Sequence, residues 1–282
     1  MATINQTLRD VKAVLKSAGV ESFALDAELL LTKATGLSRV ELVTRDFEAV
    51  AEEQLEEFLK LSAMRAEGIP LKYIVQSCEF MSLSFFVDKR VLIPRPDTEL
   101  LAENIILAAK TRKRAKILDI GTGSGALAVA AAFYTDAEVT ALDVSDDALE
   151  VARMNSESNG TDVKFVRFDI LNDNFYGFGF ENYDIIASNP PYIKTDDLEG
   201  LSREVLCEPR LALDGGADGL VFYRRISEFA VLRLAENGLL MFEIGFDQAD
   251  GVEEIMKKQG FNDITILNDL AGLNRMVIGK KR

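Results

Sequence analysis

Two short stretches carry side chains whose type and spacing suit chemistry on a planar nitrogen. The first is Ser188-Asn189-Pro190-Pro191-Tyr192. An amide or exocyclic amine has two N–H donors and a delocalised lone pair, so a site that holds it needs two fixed acceptors close together. The Asn189 side-chain oxygen is one candidate. The Pro190 carbonyl is the other, aimed by proline's locked φ, and Tyr192 offers a flat face for stacking. The preceding run, Tyr183-Asp184-Ile185-Ile186-Ala187, reads as a buried strand that the two prolines end. Open α/β sheets bind ligands at that carboxyl edge. A plain strand-ending turn with a packed tyrosine gives the same letters, so the stretch gains meaning only beside a second one.

The second stretch is Asp119-Ile120-Gly121-Thr122-Gly123-Ser124-Gly125, between a predicted strand, 116–120, and an apolar helix beginning at Ala126. Its glycines let the backbone turn sharply and approach a ligand. Asp143 ends the next predicted strand, where a carboxylate can accept both hydroxyls of a ribose. With Ala126 the stretch also fits the dinucleotide pattern, which keeps a nicotinamide dehydrogenase open. Two features favour S-adenosyl-L-methionine. Asp119 can meet a cationic methionine ammonium and would repel a pyrophosphate. The chain has no histidine, a common proton donor in hydride transfer. Asp169 and Ile170, past the third strand, are candidates to hold an adenine.

Composition narrows the field further. The 282 residues are 48% hydrophobic, enough for one large domain or two smaller ones. The lack of histidine excludes imidazole bases, Ser-His-Asp triads and histidine metal sites, and no metal site is expected. Cys78 and Cys207 are far apart and read as free thiols. Net charge is −14, most of it beyond residue 90, which argues against a general nucleic-acid binder and suits a basic protein partner. Neither a signal peptide nor a membrane-length apolar run is evident, so a cytoplasmic monomer that engages no membrane is expected.

The elements that must position these residues follow from periodicity. Helices are expected over 4–18 (Leu8, Val11, Val14, Leu15), 22–35 (Leu25, Leu29, Leu30) and 47–66, the last capped by Asp46. These make a helical bundle over 1–75. Residues 76–97 read as two β segments turning near Asp88-Lys89-Arg90, then a stiff bridge, Ile93-Pro94-Arg95-Pro96, with Asp97 or Thr98 capping the next helix. Strands and helices alternate over 98–282, with a final antiparallel pair near 263–268 and 274–280. This predicts an α/β, doubly wound sheet with an antiparallel C-terminal edge.

The glycine loop with Asn189-Pro190-Pro191-Tyr192 resembles class I, Rossmann-like S-adenosylmethionine-dependent methyltransferases that act on amide or amine nitrogen. Further segments resemble the HemK/PrmC family of release factor glutamine methyltransferases. They are Gly68–Ile74, Phe80 with its hairpin, Leu92–Glu99, Glu208–Gly216 and Asp269–Arg275. Asp97 stands where that family usually has Glu, and the glycine common after Tyr73-Ile74 is missing. The resemblance implies methylation of the glutamine in the Gly-Gly-Gln motif of class 1 peptide chain release factors, on its side-chain nitrogen (N5). It implies cofactor contacts from Gly121 to Gly125 and Asp143, substrate contacts from Asn189 to Tyr192, and an N-terminal bundle that helps to dock the release factor. Arg210 is a candidate for the substrate mouth. A glutamine methyltransferase of a ribosomal protein, an adenine-N6 nucleic-acid methyltransferase and a catalytically idle binding module remain as alternatives.

Overall fold

The computed structural model describes residues 2–175 and 182–282. The chain divides into two units: Met1–Ser77 with Ser202–Cys207, and Cys78–Leu201 with Glu208–Arg282.

The first unit holds α1 (Ile4–Ser17), α2 (Phe23–Thr35), α3 (Arg39–Thr44), α4 (Glu52–Ala66), α5 (Leu71–Val75) and, from far along the chain, the single turn α9 (Arg203–Leu206). Val11 and Leu15 of α1 pack with Ala27, Leu30 and Leu31 of α2 and with Phe58 and Leu61 of α4. The buried stripe of α1 includes Ile4 and leaves Val14 exposed. On α2 the stripe is rotated from the expected one: Leu25 is exposed and Asp26 is buried. Arg65 is the reason. Its Nε donates to Asp26 Oδ2 at 2.7 Å, and its other nitrogens reach the Ile69 carbonyl at 3.2 Å and Glu204 at 2.5 Å. Charge-assisted bonds of this kind compensate burial that an unpaired carboxylate would resist.

Two helix starts differ from expectation. Helix α4 begins at Glu52, after Ala51, and Asp46 does not cap it. Residues 46–50 are recruited instead by the start of α1, where the Asn5 and Ile4 amides donate to the carbonyls of Asp46 and Glu48, both at 2.9 Å. Helix α3 stands where periodicity gives no helix, its start marked by the reciprocal capping box of Ser38 and Glu41.

The second unit opens with a hairpin of β1 (Cys78–Phe80) and β2 (Leu83–Phe85). Its turn is at Met81-Ser82, both at positive φ, and not at Asp88-Lys89-Arg90 as the apolar spacing suggested. Two left-handed residues in succession match the twist of a tight hairpin. Asp88 to Arg90 form a separate turn, with the Arg90 amide donating to Asp88 Oδ1 at 3.0 Å.

The remaining elements are α6 (Thr98–Lys110), β3 (Lys116–Ile120), α7 (Ala126–Tyr134), β4 (Glu138–Asp143), α8 (Asp146–Ser158), β5 (Val163–Arg167), β6 (Tyr183–Ser188), α10 (Val221–Arg233), β7 (Leu234–Glu243), α11 (Ala249–Lys258), β8 (Asn262–Asn268) and β9 (Asn274–Lys280). They build a seven-stranded sheet in the order β5-β4-β3-β6-β7-β9-β8. The first five strands in that order are parallel, and β9 is antiparallel to both neighbours. This is the doubly wound sheet with an antiparallel edge that the alternating pattern predicts. Successive residues of β3 face opposite layers, Ile117 toward α6 and α7, Leu118 toward α10 and α11. Strand β7 starts at Leu234, and its register with β6 is interrupted between Tyr183 and Ile185.

Asn155 of α8 fastens the segment after β2 to the glycine loop. Its Nδ2 donates to the carbonyls of Phe86 at 3.0 Å and Ser124 at 2.9 Å, and its Oδ1 accepts from the Phe86 amide at 2.7 Å. Asn155→Ala would leave several enclosed backbone groups unpaired, at about 1–3 kcal/mol for each fully buried one. A loss of about 3 kcal/mol is expected, read as a lower denaturant midpoint at unchanged slope.

Candidate active site

Strands β3 and β6 are parallel neighbours with Asp119 opposite Ala187. Two residues further along each chain lie Gly121 and Asn189, so both predicted stretches leave the sheet side by side. They meet at a cavity of about 270 Å³. Gly121, Gly123, Asp143, Asp169, Ile170, Asn189, Pro190 and Pro191 form part of its wall. Asp119, Thr122, Ser124, Gly125 and Tyr192 are not on that wall. Val91, Leu92, Leu211, Phe222 and Ile226 are on it and were not anticipated. Leu92 and Leu211 fall in the family-like segments 92–99 and 208–216, whereas Val91, Phe222 and Ile226 are ordinary apolar residues that nothing in the local sequence marks. A larger, more open groove of about 650 Å³ involves β8, α11 and the C-terminus and contains none of the predicted site residues.

The loop is tightly tied. The amides of Gly121 and Thr122 both donate to the Leu142 carbonyl, at 2.8 and 2.9 Å. Gly125 precedes α7 at φ +83°, and a Cβ there would lie 3.1 Å from that of Ala152. The position needs glycine for both conformation and close packing. Ser124 is buried, and its carbonyl is held by Asn155.

Asp119 lies under the loop. Its Oδ2 accepts from the Thr122 hydroxyl at 2.7 Å, while Oδ1 is buried without a hydrogen-bond partner among the described residues. Burial pushes its pKa up to about 7 against the Thr122 bond, with the charge of Asp143 adding to the rise. Asp143 is itself raised by burial, which outweighs the amides of Ser145 and Gly123 that donate to it at 3.0 and 2.9 Å. Each of its oxygens takes one backbone amide and keeps a lone pair. Asp169 is turned inward on its own loop, accepting from the amides of Leu171 and Asn172 and from the Asn172 side chain, and these bonds hold its pKa down. Ile170 is buried, with its carbonyl bound by Arg225 Nε at 3.0 Å.

The Asn189–Tyr192 segment is clamped from behind. Gln248 Nε2 donates to the Tyr192 carbonyl at 3.0 Å, and the Ile193 amide donates to the Leu213 carbonyl at 3.0 Å. A Cβ on Gly219 would lie 2.5 Å from the Tyr192 carbonyl oxygen, so that glycine allows the segment to sit where it does. Asn189 Nδ2 donates to Thr98 Oγ1 at 3.1 Å. Asp97 occupies the cap position of α6 without a side-chain cap bond, and Thr98 faces Asn189. Among the described residues nothing donates to Asn189 Oδ1 or to the Pro190 carbonyl. Burial pushes the Tyr192 phenol up to about 12, so it stays protonated at neutral pH.

Two segments of the second unit, far apart in sequence, are joined by an ion pair. Arg95 Nη2 meets both oxygens of the buried Glu208, at 2.7 and 2.8 Å. Arg275 links Asp269 at 3.1 Å with Asp97 at 3.5 Å. Arg210 is exposed, pairs with Asp214 at 3.2 Å and lies off the cavity wall. Gln248 and Glu243 were also missed. A buried Glu in an apolar strand and a Gln before a helix were the available signals.

Comparison with known proteins gives consistent results along the whole chain. Residues 6–75 match the family described as the PrmC N-terminal domain, and residues 96–241 match the methyltransferase small domain. A release factor glutamine methyltransferase of Clostridium acetobutylicum is 37% identical over 98% of this chain and 97% of its own length. One of Geobacter sulfurreducens is 40% identical over 99% of this chain and 96% of its own. A solved methyltransferase from Pyrococcus furiosus shares the fold with a TM-score of 0.53 at 22% identity, covering 74% of this chain and 93% of that one.

Proposed function

Because the chain belongs to the release factor glutamine methyltransferase family, we propose that it transfers a methyl group to the side-chain N5 of the Gly-Gly-Gln glutamine of class 1 peptide chain release factors. S-Adenosyl-L-methionine is the donor, and it supplies a methyl already activated on a sulfonium. The observation that carries the reading is the pair of unengaged acceptors, Asn189 Oδ1 and the Pro190 carbonyl, beside the glycine loop.

The chain's own residues supply position and charge. Asn189 Oδ1 and the Pro190 carbonyl accept the two N–H groups of the glutamine amide, which fixes its plane and orients its lone pair. As positive charge grows on nitrogen, the same two dipoles stabilise it. Tyr192 packs the amide plane. No strong base acts first, because an alkylated amide nitrogen loses its proton readily, and neither histidine nor ionised Tyr192 is needed. Asp143 suits ribose hydroxyls through its remaining lone pairs. Asp169 and Ile170 suit the adenine end by their place on the wall, and Gly121 and Gly123 admit close backbone approach. The half-satisfied Asp119, buried beneath the loop and off the cavity wall, favours a cationic ammonium in the cavity through its charge and not by contact. The helical unit docks the release factor. The apolar Val40, Val43 and Phe47, more than 70% exposed in and just past α3, support that part of the reading.

Labelled methyl from S-adenosylmethionine is expected on a purified release factor and not on its Gly-Gly-Ala variant. Equal labelling of both would discard the glutamine assignment. Asn189→Ala should lower kcat by about 100-fold or more while cofactor Kd stays within a few-fold. Asp143→Ala should do the reverse, weakening cofactor binding. Asp119 adds a pH dependence. Its free carboxyl titrates near 7, and a cation nearby would lower that value, so binding releases a proton. Affinity should therefore rise from pH 6 to 7.5 by up to roughly tenfold, and Asp119→Asn should flatten the profile in calorimetric titrations.

A further inference from the structure

Glu243 is the buried carboxyl that the mechanism above leaves unused. It ends β7, directly after Phe242, which is paired with Ser188 at the end of β6. Glu243 and Asn189 therefore leave adjacent strands at the same level. Glu243 is only 2% exposed, and its Oε2 has no hydrogen-bond partner among the described residues. Thr98, Arg275 and Asn189 favour the ionised carboxyl and Asp97 opposes it, while the carboxyl charge acts in turn on the Tyr192 and Tyr223 phenols. Thr98, 5% exposed, receives Asn189 Nδ2 on its Oγ1 at 3.1 Å.

A carboxamide fills the same space either way round, and only its partners decide which end faces the ligand. For Asn189 that choice matters, because the glutamine amide brings donors and needs an oxygen. An ionised carboxylate has acceptors only, and a hydroxyl has one proton to give. If that proton goes to Glu243, Thr98 Oγ1 can only accept, and the nearest donor is Asn189 Nδ2. The amide nitrogen is then turned toward α6 and β7, and Oδ1 toward the cavity.

Resting on the methyl-transfer reading of the same site, we infer that Thr98 and Glu243 are positioning residues that hold the Asn189 amide with its oxygen toward the substrate nitrogen. They touch neither substrate nor cofactor in this scheme. Protonated Glu243 would itself donate to Thr98 and free the hydroxyl proton, removing the preference. Burial places that titration at about 7, with Thr98, Arg275 and Asn189 favouring the ionised form and Asp97 opposing it. Turnover should thus rise through neutral pH as Glu243 ionises. Measuring at saturating cofactor separates this limb from the Asp119 effect on binding.

The test compares Thr98→Val, Thr98→Ser and Glu243→Gln with the wild type, for kcat on a release factor, cofactor Kd and thermal midpoint. Thr98→Val is expected to lose about tenfold in kcat with Kd within twofold, and Thr98→Ser to recover at least half of wild-type kcat. Glu243→Gln should flatten the kcat–pH limb. Combining it with Thr98→Val should cost little more than Thr98→Val alone, since both act through one amide. Wild-type kcat in Thr98→Val, equal loss in Thr98→Ser, or multiplicative loss in the double variant would overturn the inference. Should wild-type protein methylate no release factor, the functional reading fails while the orientation can still be measured. In 15N-labelled protein the Asn189 side-chain amide, assigned by its disappearance in Asn189→Ala, should shift and broaden in Thr98→Val and persist in Thr98→Ser. An unchanged amide in Thr98→Val would refute the positioning role on its own.

Discussion

The parallel pairing of β3 with β6, with Asp119 opposite Ala187, is the constraint on which the site depends. Strand order reverses there: β4 and β5 extend the sheet on one side, and β7, β9 and β8 on the other. The loops after the two central strands therefore diverge toward opposite layers and leave a crevice between them. The glycine loop enters it from one side and Asn189-Pro190-Pro191-Tyr192 from the other. Slipping the register by one residue would invert every side chain of the moved strand and separate the two stretches in depth.

Several carboxyl groups are buried around this edge, and each is treated differently. Glu208 is held by Arg95, which fixes the bridge before α6 to the segment before α10. Asp119 keeps one oxygen on Thr122 and one without a partner among the described residues. Glu243 ends β7 beside the strand that leads to Asn189, with its Oε2 unpartnered among the described residues. A buried carboxyl with a full partner stabilises geometry, whereas one with half its partners responds to whatever charge or proton arrives. Burial raises the Asp119 and Glu243 carboxyls alike, to about 7. They lie on the two sides of the crevice, one below the glycine loop and one behind Asn189.

With no histidine in the chain, the proposed chemistry rests on fixed dipoles. A reaction whose donor is already activated and whose nucleophile needs orientation suits such a site, because preorganised acceptors require little rearrangement as charge develops. The rigidity comes from ordinary bonds one layer back: Gln248 on the Tyr192 carbonyl, Asn155 on the Ser124 carbonyl, and Thr98 on the Asn189 amide.

Local sequence determined the elements and the motifs. The apolar alternation of β3, β4 and β6, the glycines at 121, 123 and 125 and the two prolines after Asn189 are properties of a few adjacent residues, so periodicity and backbone stereochemistry exposed them. Family likeness then supplied the donor and the kind of substrate, which spacing alone left open between a methyltransferase and a dehydrogenase. Other features needed the folded chain. Asp26 is buried because Arg65 reaches it across the bundle, and Asp46 leaves its expected cap because α1 claims the segment. The hairpin turns at Met81-Ser82, two residues with no turn signature of their own. Asp119 lies beneath the loop, Thr98 bonds the Asn189 amide from 91 residues before it, and Glu243 reaches the adjacent strand end from 54 residues after it. Contacts over such separations are decided by strand order and packing, and no local pattern encodes them.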